Sequence, residues 1–289
     1  ILEEHLETTV KAHDQQLHRR VDLLLRTGKL LVESLADTNR IVRNMKRTAA
    51  YLGIPEEKLH INVSFTMLMV NVSDGDYSFT KFQRIEGHGV NMTAISEVSK
   101  LSWRAIENDY TLDQYEEELE KIRKKKRNYT PWQVAIGAGF ACGGFCIQFG
   151  CDWVAFLYAL GMRLRQVCNE SGLNHYMGIA ISAFVAAIIA WASTLLPAEW
   201  TSTPWHPLLA CALFIVPGVP LINFVDDMLD NYIQVGIVRA VNTLLMVAAM
   251  AFGIAFASFP SCEDATISAI TVLYLIHADV NVAVTWKVS

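Results

Sequence analysis

Charged residues are scarce in the second part of this 289-residue sequence. Residues 131–289 contain 4 Lys+Arg and 9 Asp+Glu, whereas residues 1–130 contain 20 of each, out of chain totals of 24 and 29. A segment as apolar as residues 131–289 is not soluble in water on its own. This excludes a wholly cytosolic enzyme. The content of 52% hydrophobic residues excludes a disordered chain as well. Residues 1–130 have as many acidic as basic residues, so their charge does not indicate binding to nucleic acid.

Cysteine is missing from the first 141 residues, since all six cysteines lie in the apolar part. This distribution excludes a secreted disulfide framework. Cys142 and Cys146 share a helix face at a spacing of four residues, but no histidine or third cysteine stands at ligand spacing. We therefore interpret them as packing residues and expect no metal and no cofactor.

Recognisable catalytic motifs are also missing. The sequence contains no P-loop, no His-Glu-x-x-His and no serine flanked by elbow glycines. Gly139-x-x-x-Gly143 indicates close packing of membrane helices rather than a dinucleotide loop, because no βαβ unit surrounds it. We therefore expect a protein that is not an enzyme.

The first 130 residues predict a small α+β domain, which begins with a long helix. Apolar positions from about residue 6 to 52 follow one helical stripe, and Gly53 with Pro55 stops that helix. Thr111 followed by Gln114 forms a capping box, which predicts the start of a further helix. This helix runs into a basic segment.

Strand periodicity appears between the two predicted helices. Apolar residues alternate from Leu59 and continue to Val72, and this pattern predicts a strand. Asp74-Gly75-Asp76 predicts a turn into a second strand at about 77–85. Helices and strands are thus segregated along the chain, as in an α+β fold.

Residues 131–289 predict an all-α polytopic membrane domain with five to six transmembrane helices. Each helix needs roughly 20 apolar residues to cross the hydrocarbon. The second stretch is short and the last contains His277 and Asp279, so these two are the weaker predictions. The apolar stretches lie at about 131–149, 153–168, 176–196, 207–225, 234–258 and 265–285.

A basic run at residues 121–127 directly precedes the first apolar stretch. By the positive-inside rule, it places the N-terminal domain in the cytoplasm. The loops at 197–206 and 259–264 contain no lysine or arginine, which favours six crossings with both ends inside. The predicted domains are therefore a cytoplasmic α+β domain with a basic helical linker at 1–130 and a transmembrane domain at 131–289.

The motif Val216-Pro217-Gly218-Val219-Pro220 interrupts the fourth apolar stretch. A proline inside a helix removes a backbone hydrogen bond, and a broken membrane helix commonly exposes helix ends to a substrate or ion. The break is therefore the leading candidate for a binding site. A simple kink used for packing is the alternative.

Polar residues follow the proline motif at membrane depth, where ionisable groups are costly and tend to mark ion or substrate paths. One carboxylate could carry a coupling proton, whereas Asp230 also suits a surface loop. Arg239 could pair with one of these carboxylates or neutralise the carboxylate of a substrate. The candidates are Asn223, Asp226, Asp227, Asp230 and Arg239.

The stretch Pro217-Gly218-x-Pro220-Leu221-Ile222-Asn223, with Asp227, Gly236 and Arg239 after it, resembles the threonine/serine exporter family of bacteria and fungi. Over about residues 20–258, further features match. They are Pro131-Trp132 leading into the Cys142 and Cys146 span, Asp152 after that span, and the helix-strand-strand-helix domain.

The resemblance implies the larger subunit, or one half, of an exporter for threonine, serine or dicarboxylates such as succinate. It implies proton-coupled antiport through the bacterial inner membrane, in a homo-oligomer or with a small membrane partner subunit. On this basis, Asn223 is expected to contact substrate, Asp227 to carry the proton or ion and Arg239 to hold a carboxylate. Pro217, Gly218 and Pro220 would shape the site, Asp226 would line the path, and secondary candidates are Asp152, His277 and Asp279.

The sequence departs from the family pattern in two places. Asn231 stands where a glycine is common, which is expected to alter the turn after the aspartates. The segment at 265–289 extends beyond the usual end of the larger subunit. Two other functions stay open: a membrane-anchored sensor or scaffold whose soluble domain binds a ligand or partner, and a membrane enzyme using Asp227 or the pair His277 and Asp279.

Overall fold

A computed structural model describes residues 2–74, 77–125, 174–193 and 217–258, with isolated residues between 129 and 141. The described residues form seven α-helices, a short 3-10 helix and one three-stranded sheet. The chain divides into two compact units. Unit 1 joins residues 1–126 with residues 223–239, and unit 2 joins residues 127–222 with residues 240–289. The domain boundary at residue 130 stays a prediction, and the sequence did not indicate that 223–239 groups with unit 1.

The helix predicted over residues 6 to 52 is wrong as a single element, because a turn divides it. Leu35 adopts a left-handed φ of 60° and ends the first helix. Asp37 then begins the next helix, where its side chain accepts a 2.9 Å hydrogen bond from the Arg40 N–H. The helices of this part are α1 (Leu2–Glu33), α2 (Thr38–Tyr51), α3 (Met92–Glu107) and α4 (Leu112–Lys124).

Two of the predicted helix boundaries are confirmed. Gly53 has a φ of 73° directly after α2, a conformation that glycine adopts without steric cost. Thr111 caps α4 in a capping box. The Thr111 side chain accepts a hydrogen bond from the Gln114 backbone N–H, and the Gln114 side chain accepts one from the Thr111 backbone N–H. Helix α3, in contrast, was not predicted.

The sheet has three antiparallel strands in the order β1-β2-β3. The single strand predicted between Leu59 and Val72 is wrong, because the chain reverses after Val63 and the Ser64 N–H donates a 2.8 Å bond to the Met67 carbonyl. The strand predicted at 77–85 is confirmed. The strands are β1 (Leu59–Val63), β2 (Met67–Asp74) and β3 (Tyr77–Arg84).

One face of the sheet packs against α1, and these elements share the core of unit 1. Leu24 and Leu31 of α1, Met45 of α2 and Leu68 of β2 are all fully buried. Gly28 permits this close approach, because a Cβ atom at that position would lie 2.5 Å from the Leu68 Cδ2 atom. Helix α1 therefore lies between the sheet and α2 and packs against both.

The remaining helices are α5 (His175–Ser193), α6 (Gly218–Leu229) and α7 (Ile233–Ser258). Among the described residues, one segment, Ile233–Ala257 of α7, is long and apolar enough to cross a membrane. In unit 2, Gly253 of α7 lies against the Ala180 carbonyl of α5, an approach that only a glycine allows. The number of crossings stays a prediction, since most of the other apolar stretches lie outside the described residues.

Candidate functional site

The proline motif starts a helix in the described part of the chain. Helix α6 begins at Gly218, and the Pro217 carbonyl accepts a 3.0 Å bond from the Leu221 N–H. Pro220 lies in the first turn, where a missing N–H costs no intrahelical hydrogen bond. Whether the motif also interrupts a longer helix depends on residues 207–216, which lie outside the described residues.

A tight turn at the end of α6 sends the chain into α7. The Tyr232 N–H donates a 2.8 Å bond to the Asp227 carbonyl, and the Asn231 N–H donates a 3.3 Å bond to the Met228 carbonyl. These two bonds form a Schellman motif, which needs a left-handed residue at the position of Asn231. Asn231 supplies it with a φ of 65°. Asparagine tolerates this conformation, which a glycine would also adopt, so Asn231 is compatible with the turn.

Asp227 and Arg239 form a buried ion pair across the corner between α6 and α7. The Arg239 Nη1 atom lies 2.8 Å from the Asp227 Oδ2 atom, and the two side chains are only 4% and 1% exposed. The sequence left two alternatives for Arg239, pairing with a carboxylate of the chain or with the carboxylate of a substrate. In this conformation Arg239 pairs with a carboxylate of the chain. Each charge compensates the other for the hydration that burial removes.

Backbone groups between α1 and α2 also contact this pair. The Thr38 N–H donates a 2.8 Å bond to the Asp227 Oδ1 atom. The Arg239 Nη2 atom donates a 2.9 Å bond to the Ala36 carbonyl. Residues 34–38, which we call the α1–α2 turn, thus contact both members of the ion pair although they lie about 200 residues away in sequence.

Opposing effects act on the Asp227 carboxyl, which precedes the membrane-length segment of α7. Burial raises the pKa of this carboxyl above its usual range, because the charged form loses its hydration. The Arg239 charge and the Thr38 N–H stabilise the carboxylate and oppose that rise in pKa. A change in either contact would therefore change the pKa of Asp227.

Two further candidates lie on the same corner. The Asn223 Nδ2 atom donates a 2.7 Å bond to the Leu35 carbonyl. The Asp230 Oδ2 atom accepts a 3.0 Å bond from the Asn39 side chain at the start of α2. Asp226 is half-buried and does not contribute to the ion pair. The structure therefore brings Asn223, Asp227, Asp230 and Arg239 to one end of α2.

Several sequence predictions fall outside the described residues. They concern the secondary candidates Asp152, His277 and Asp279 and the cysteine pair Cys142 and Cys146. Within the described part of the chain, no cluster of three His, Cys, Asp or Glu side chains could hold a metal ion.

His88 packs beside the α1–α2 turn in the loop after the sheet. Its ring stacks on Phe65 with centroids 3.9 Å apart, and its Nδ1 atom lies 3.4 Å from the Val32 carbonyl. Burial lowers the pKa of His88 below its usual value of 6.5, and the nearby Arg239 charge adds to this effect. Hydrogen bonds to the Val32 and Phe65 backbone and the Glu33 charge oppose it. The neutral imidazole is therefore the form that the fold favours.

Unit 1 is expected to lose stability as the pH falls through about 6.5, because unfolded His88 gains a proton that folded His88 resists. Above that pH, both states hold the neutral ring and His88 adds no pH dependence. Thermal unfolding of the detergent-solubilised protein between pH 5 and 8 measures this effect. His88→Phe keeps a stacked ring without the titration, so its unfolding temperature should fall less at low pH. Equal slopes for both proteins would contradict the assignment.

Gly236 allows α7 to approach α6 closely. A Cβ atom at this position would lie 2.7 Å from the Met228 Cγ atom and 3.3 Å from the Phe224 carbonyl oxygen. Gly236→Ala is therefore expected to destabilise the protein by about 1 to 3 kcal/mol, as overpacked cores do. The unfolding temperature measures the loss, with Gly87→Ala as control, since nothing lies within 4 Å of a Cβ atom at Gly87. An unchanged unfolding temperature in Gly236→Ala would show that the corner can open without cost.

Sequence reasoning missed the α1–α2 turn as part of this site. Its contributions come mainly from backbone atoms, which leave no residue-type signal. It also missed Tyr176 of α5, whose hydroxyl donates a 2.5 Å bond to the Asn242 Oδ1 atom of α7 in unit 2. Two polar side chains in apolar helices were the available signal for that contact.

The model of a family described as "Putative threonine/serine exporter" matches residues 22–259. The match covers most of the chain and includes α6, α7 and the ion pair. The chain is thus an integral membrane protein of the transport class. It belongs to the threonine/serine exporter family, as the resemblance of the Pro-Gly-x-Pro segment predicted.

Curated relatives carry related names. The chain is 25% identical over 241 residues to the "Probable succinate transporter subunit YjjP" of Klebsiella aerogenes, covering 81% of this chain and 91% of that protein. Its counterpart in Escherichia coli K12 is 25% identical over 240 residues, with 81% and 92% covered. "Pheromone-regulated membrane protein 10" of Debaryomyces hansenii is 25% identical over 257 residues, which are 85% of this chain but only 25% of that protein. No solved structure matches the chain significantly.

Proposed function

We propose that the chain is a component of a secondary transporter that exports small hydrophilic metabolites bearing a carboxylate. Threonine, serine and a dicarboxylate such as succinate are the candidates, since the family description and the names of the relatives refer to them. The observation that carries the proposal is the buried Asp227–Arg239 pair. Buried charges are costly, and in membrane transporters they tend to mark the path of an ion or substrate.

Arg239 is the group that recognises the substrate. A guanidinium binds a carboxylate through parallel hydrogen bonds, and here it already holds the carboxylate of Asp227 at 2.8 Å. A substrate carboxylate can replace Asp227 at Arg239 without leaving the guanidinium uncompensated. This exchange frees Asp227 from its counter-charge.

Asp227 is the group that carries the proton. Once Arg239 binds substrate, Asp227 loses the charge that held its pKa down, and burial then favours the protonated form. Binding of substrate and uptake of a proton are thereby linked. Return of Asp227 to Arg239 releases both on the same side of the membrane, so the proton leaves with the substrate. The proposed coupling is therefore cotransport, favoured by a pH gradient that is acidic inside, and not the antiport that the resemblance implies.

The remaining candidates shape and line the site. Pro217, Gly218 and Pro220 fix the start of α6, and Asp226 lies beside Asp227 along the path. Asn223 contacts the substrate once the corner opens, although in this conformation it bonds to the Leu35 carbonyl. The chemistry is binding and release, with no covalent step.

The N-terminal domain lies in the cytoplasm and the protein in the inner membrane, with several crossings. The basic run at 121–127 before the first apolar stretch supports this orientation. Two of the relatives are named as subunits, which supports assembly with a small membrane partner or with further copies of the chain. The pathway is completed in that assembly.

Efflux from cells that lack other exporters tests the proposal. The cells are preloaded with labelled threonine, serine or succinate, and the chain is expressed with and without a co-expressed small partner subunit. We expect faster release of at least one of these compounds than from cells with empty vector. Release at the background rate for all three, with the partner present, would contradict the proposal and would favour a sensor or scaffold.

A further inference from the structure

The first turn of α2 receives a carboxylate from outside its own segment. Backbone N–H groups at the start of a helix have no intrahelical partner. Asp37 caps α2 locally by accepting from the Arg40 N–H at 2.9 Å, while the Thr38 N–H bonds to Asp227, 189 residues away. Asp227 thus acts as a second cap of α2, at the end of the helix whose dipole favours a negative charge.

The α1–α2 turn contains a residue with a strained backbone conformation. Leu35 has a φ of 60°, a left-handed conformation that is unfavourable for a residue with a large side chain. In this conformation its carbonyl accepts the Asn223 side chain at 2.7 Å, and the next carbonyl, that of Ala36, accepts Arg239 at 2.9 Å. Strained residues persist where the surrounding contacts hold them, and they are common at functional sites.

The turn therefore supplies the Thr38 N–H as a donor to the Asp227 carboxylate and the Ala36 carbonyl as an acceptor to the Arg239 guanidinium. We infer that the α1–α2 turn is a positioning element for the Asp227–Arg239 pair, with the Thr38 N–H fixing the carboxylate of Asp227. This inference rests on the proposed function and extends it, because it makes the N-terminal domain part of the transport machinery. The domain then sets how readily the carboxylate exchanges its proton.

Thr38→Pro removes the N–H together with the hydroxyl of this fully buried residue. Thr38 is the first residue of α2, a position where proline is well tolerated because its N–H is not needed by the helix. Asp37 has φ −63° and ψ 150°, a conformation that suits a residue before proline. Thr38→Val is the matched control, since it removes the hydroxyl but keeps the N–H.

The direct measurement is an infrared titration of the Asp227 carboxyl in lipid, taken as the difference spectrum against Asp227→Asn. We expect Thr38→Pro to raise the pH of half-protonation by about one unit relative to Thr38→Val, because a charged acceptor loses one hydrogen bond. The acidic limb of the export rate against pH should move in the same direction. An amide-to-ester replacement at residue 38 removes the same N–H without a proline ring and is measured if Thr38→Pro does not fold.

Equal midpoints in the proline or ester variant and in Thr38→Val would overturn the inference, whatever the export rate. A midpoint that moves while the export curve stays in place would also overturn it, since Asp227 would then be held for stability alone. If the midpoint moves but the wild-type protein exports no compound at any pH, the contact is as inferred and the proposed function fails.

Discussion

Proton-driven export by Asp227→Asn is expected to fall to the rate of vesicles without protein. Asparagine cannot take up and release a proton, so the link between substrate exchange and the gradient is lost. Its side-chain oxygen can still accept the 2.8 Å hydrogen bond from the Thr38 N–H and face Arg239. Because the buried Arg239 loses its counter-charge, the variant is also expected to lose stability, so export is compared for the fraction that reaches the membrane and assembles as the wild type does.

Asp113→Asn is the matched control, because it makes the same change at a carboxylate whose side chain is 81% exposed. Its export should equal that of the wild type. Membrane insertion and oligomeric state are measured for both variants by size-exclusion chromatography in detergent. Near wild-type, gradient-dependent export by a correctly assembled Asp227→Asn would remove the proton-carrying role.

Arg239→Met is expected to destabilise the protein by about 3 to 5 kcal/mol, the usual cost of removing one partner of a buried ion pair. The loss arises because Asp227, which is only 1% exposed, is left without its counter-charge. The free energy of unfolding or the unfolding temperature measures it. The variant should also lose export, since the group that binds the carboxylate is gone.

The double variant Asp227→Leu with Arg239→Met separates stability from transport. Replacing both charges by apolar side chains removes the uncompensated charge, so we expect most of the stability to return. Export should stay absent, because neither the proton carrier nor the carboxylate ligand remains. A double variant that exports would contradict the proposed mechanism, and an Arg239→Met variant as stable as the wild type would contradict the buried pair.

Local signals in the sequence were sufficient for some elements. The capping box at Thr111 and Gln114 and the stop at Gly53 were predictable because each depends on residues within one turn. The break between α1 and α2 was not, because Leu35 is apolar and continues the helical stripe across the turn. Asp37 was the available signal, since its type and place suit a helix N-cap.

The candidate site was predictable to a similar extent. The residues following the proline motif were recognised, and the pairing of Arg239 with a carboxylate was one of two alternatives. The role of the α1–α2 turn was not predictable, because periodicity reports contacts within an element and not between segments about 200 residues apart. The left-handed backbone at Leu35 and the Ala36 carbonyl that accepts from Arg239 leave no trace in residue type.

The most direct test of the account is efflux from proteoliposomes that contain the purified protein, with its small partner subunit where one is required, and an imposed pH gradient. The vesicles are loaded with labelled threonine, serine or succinate, and internal pH is followed together with release. The account predicts release that depends on the gradient, moves protons with the substrate and disappears in Asp227→Asn. Release that is unaffected by the gradient and by Asp227→Asn would contradict it.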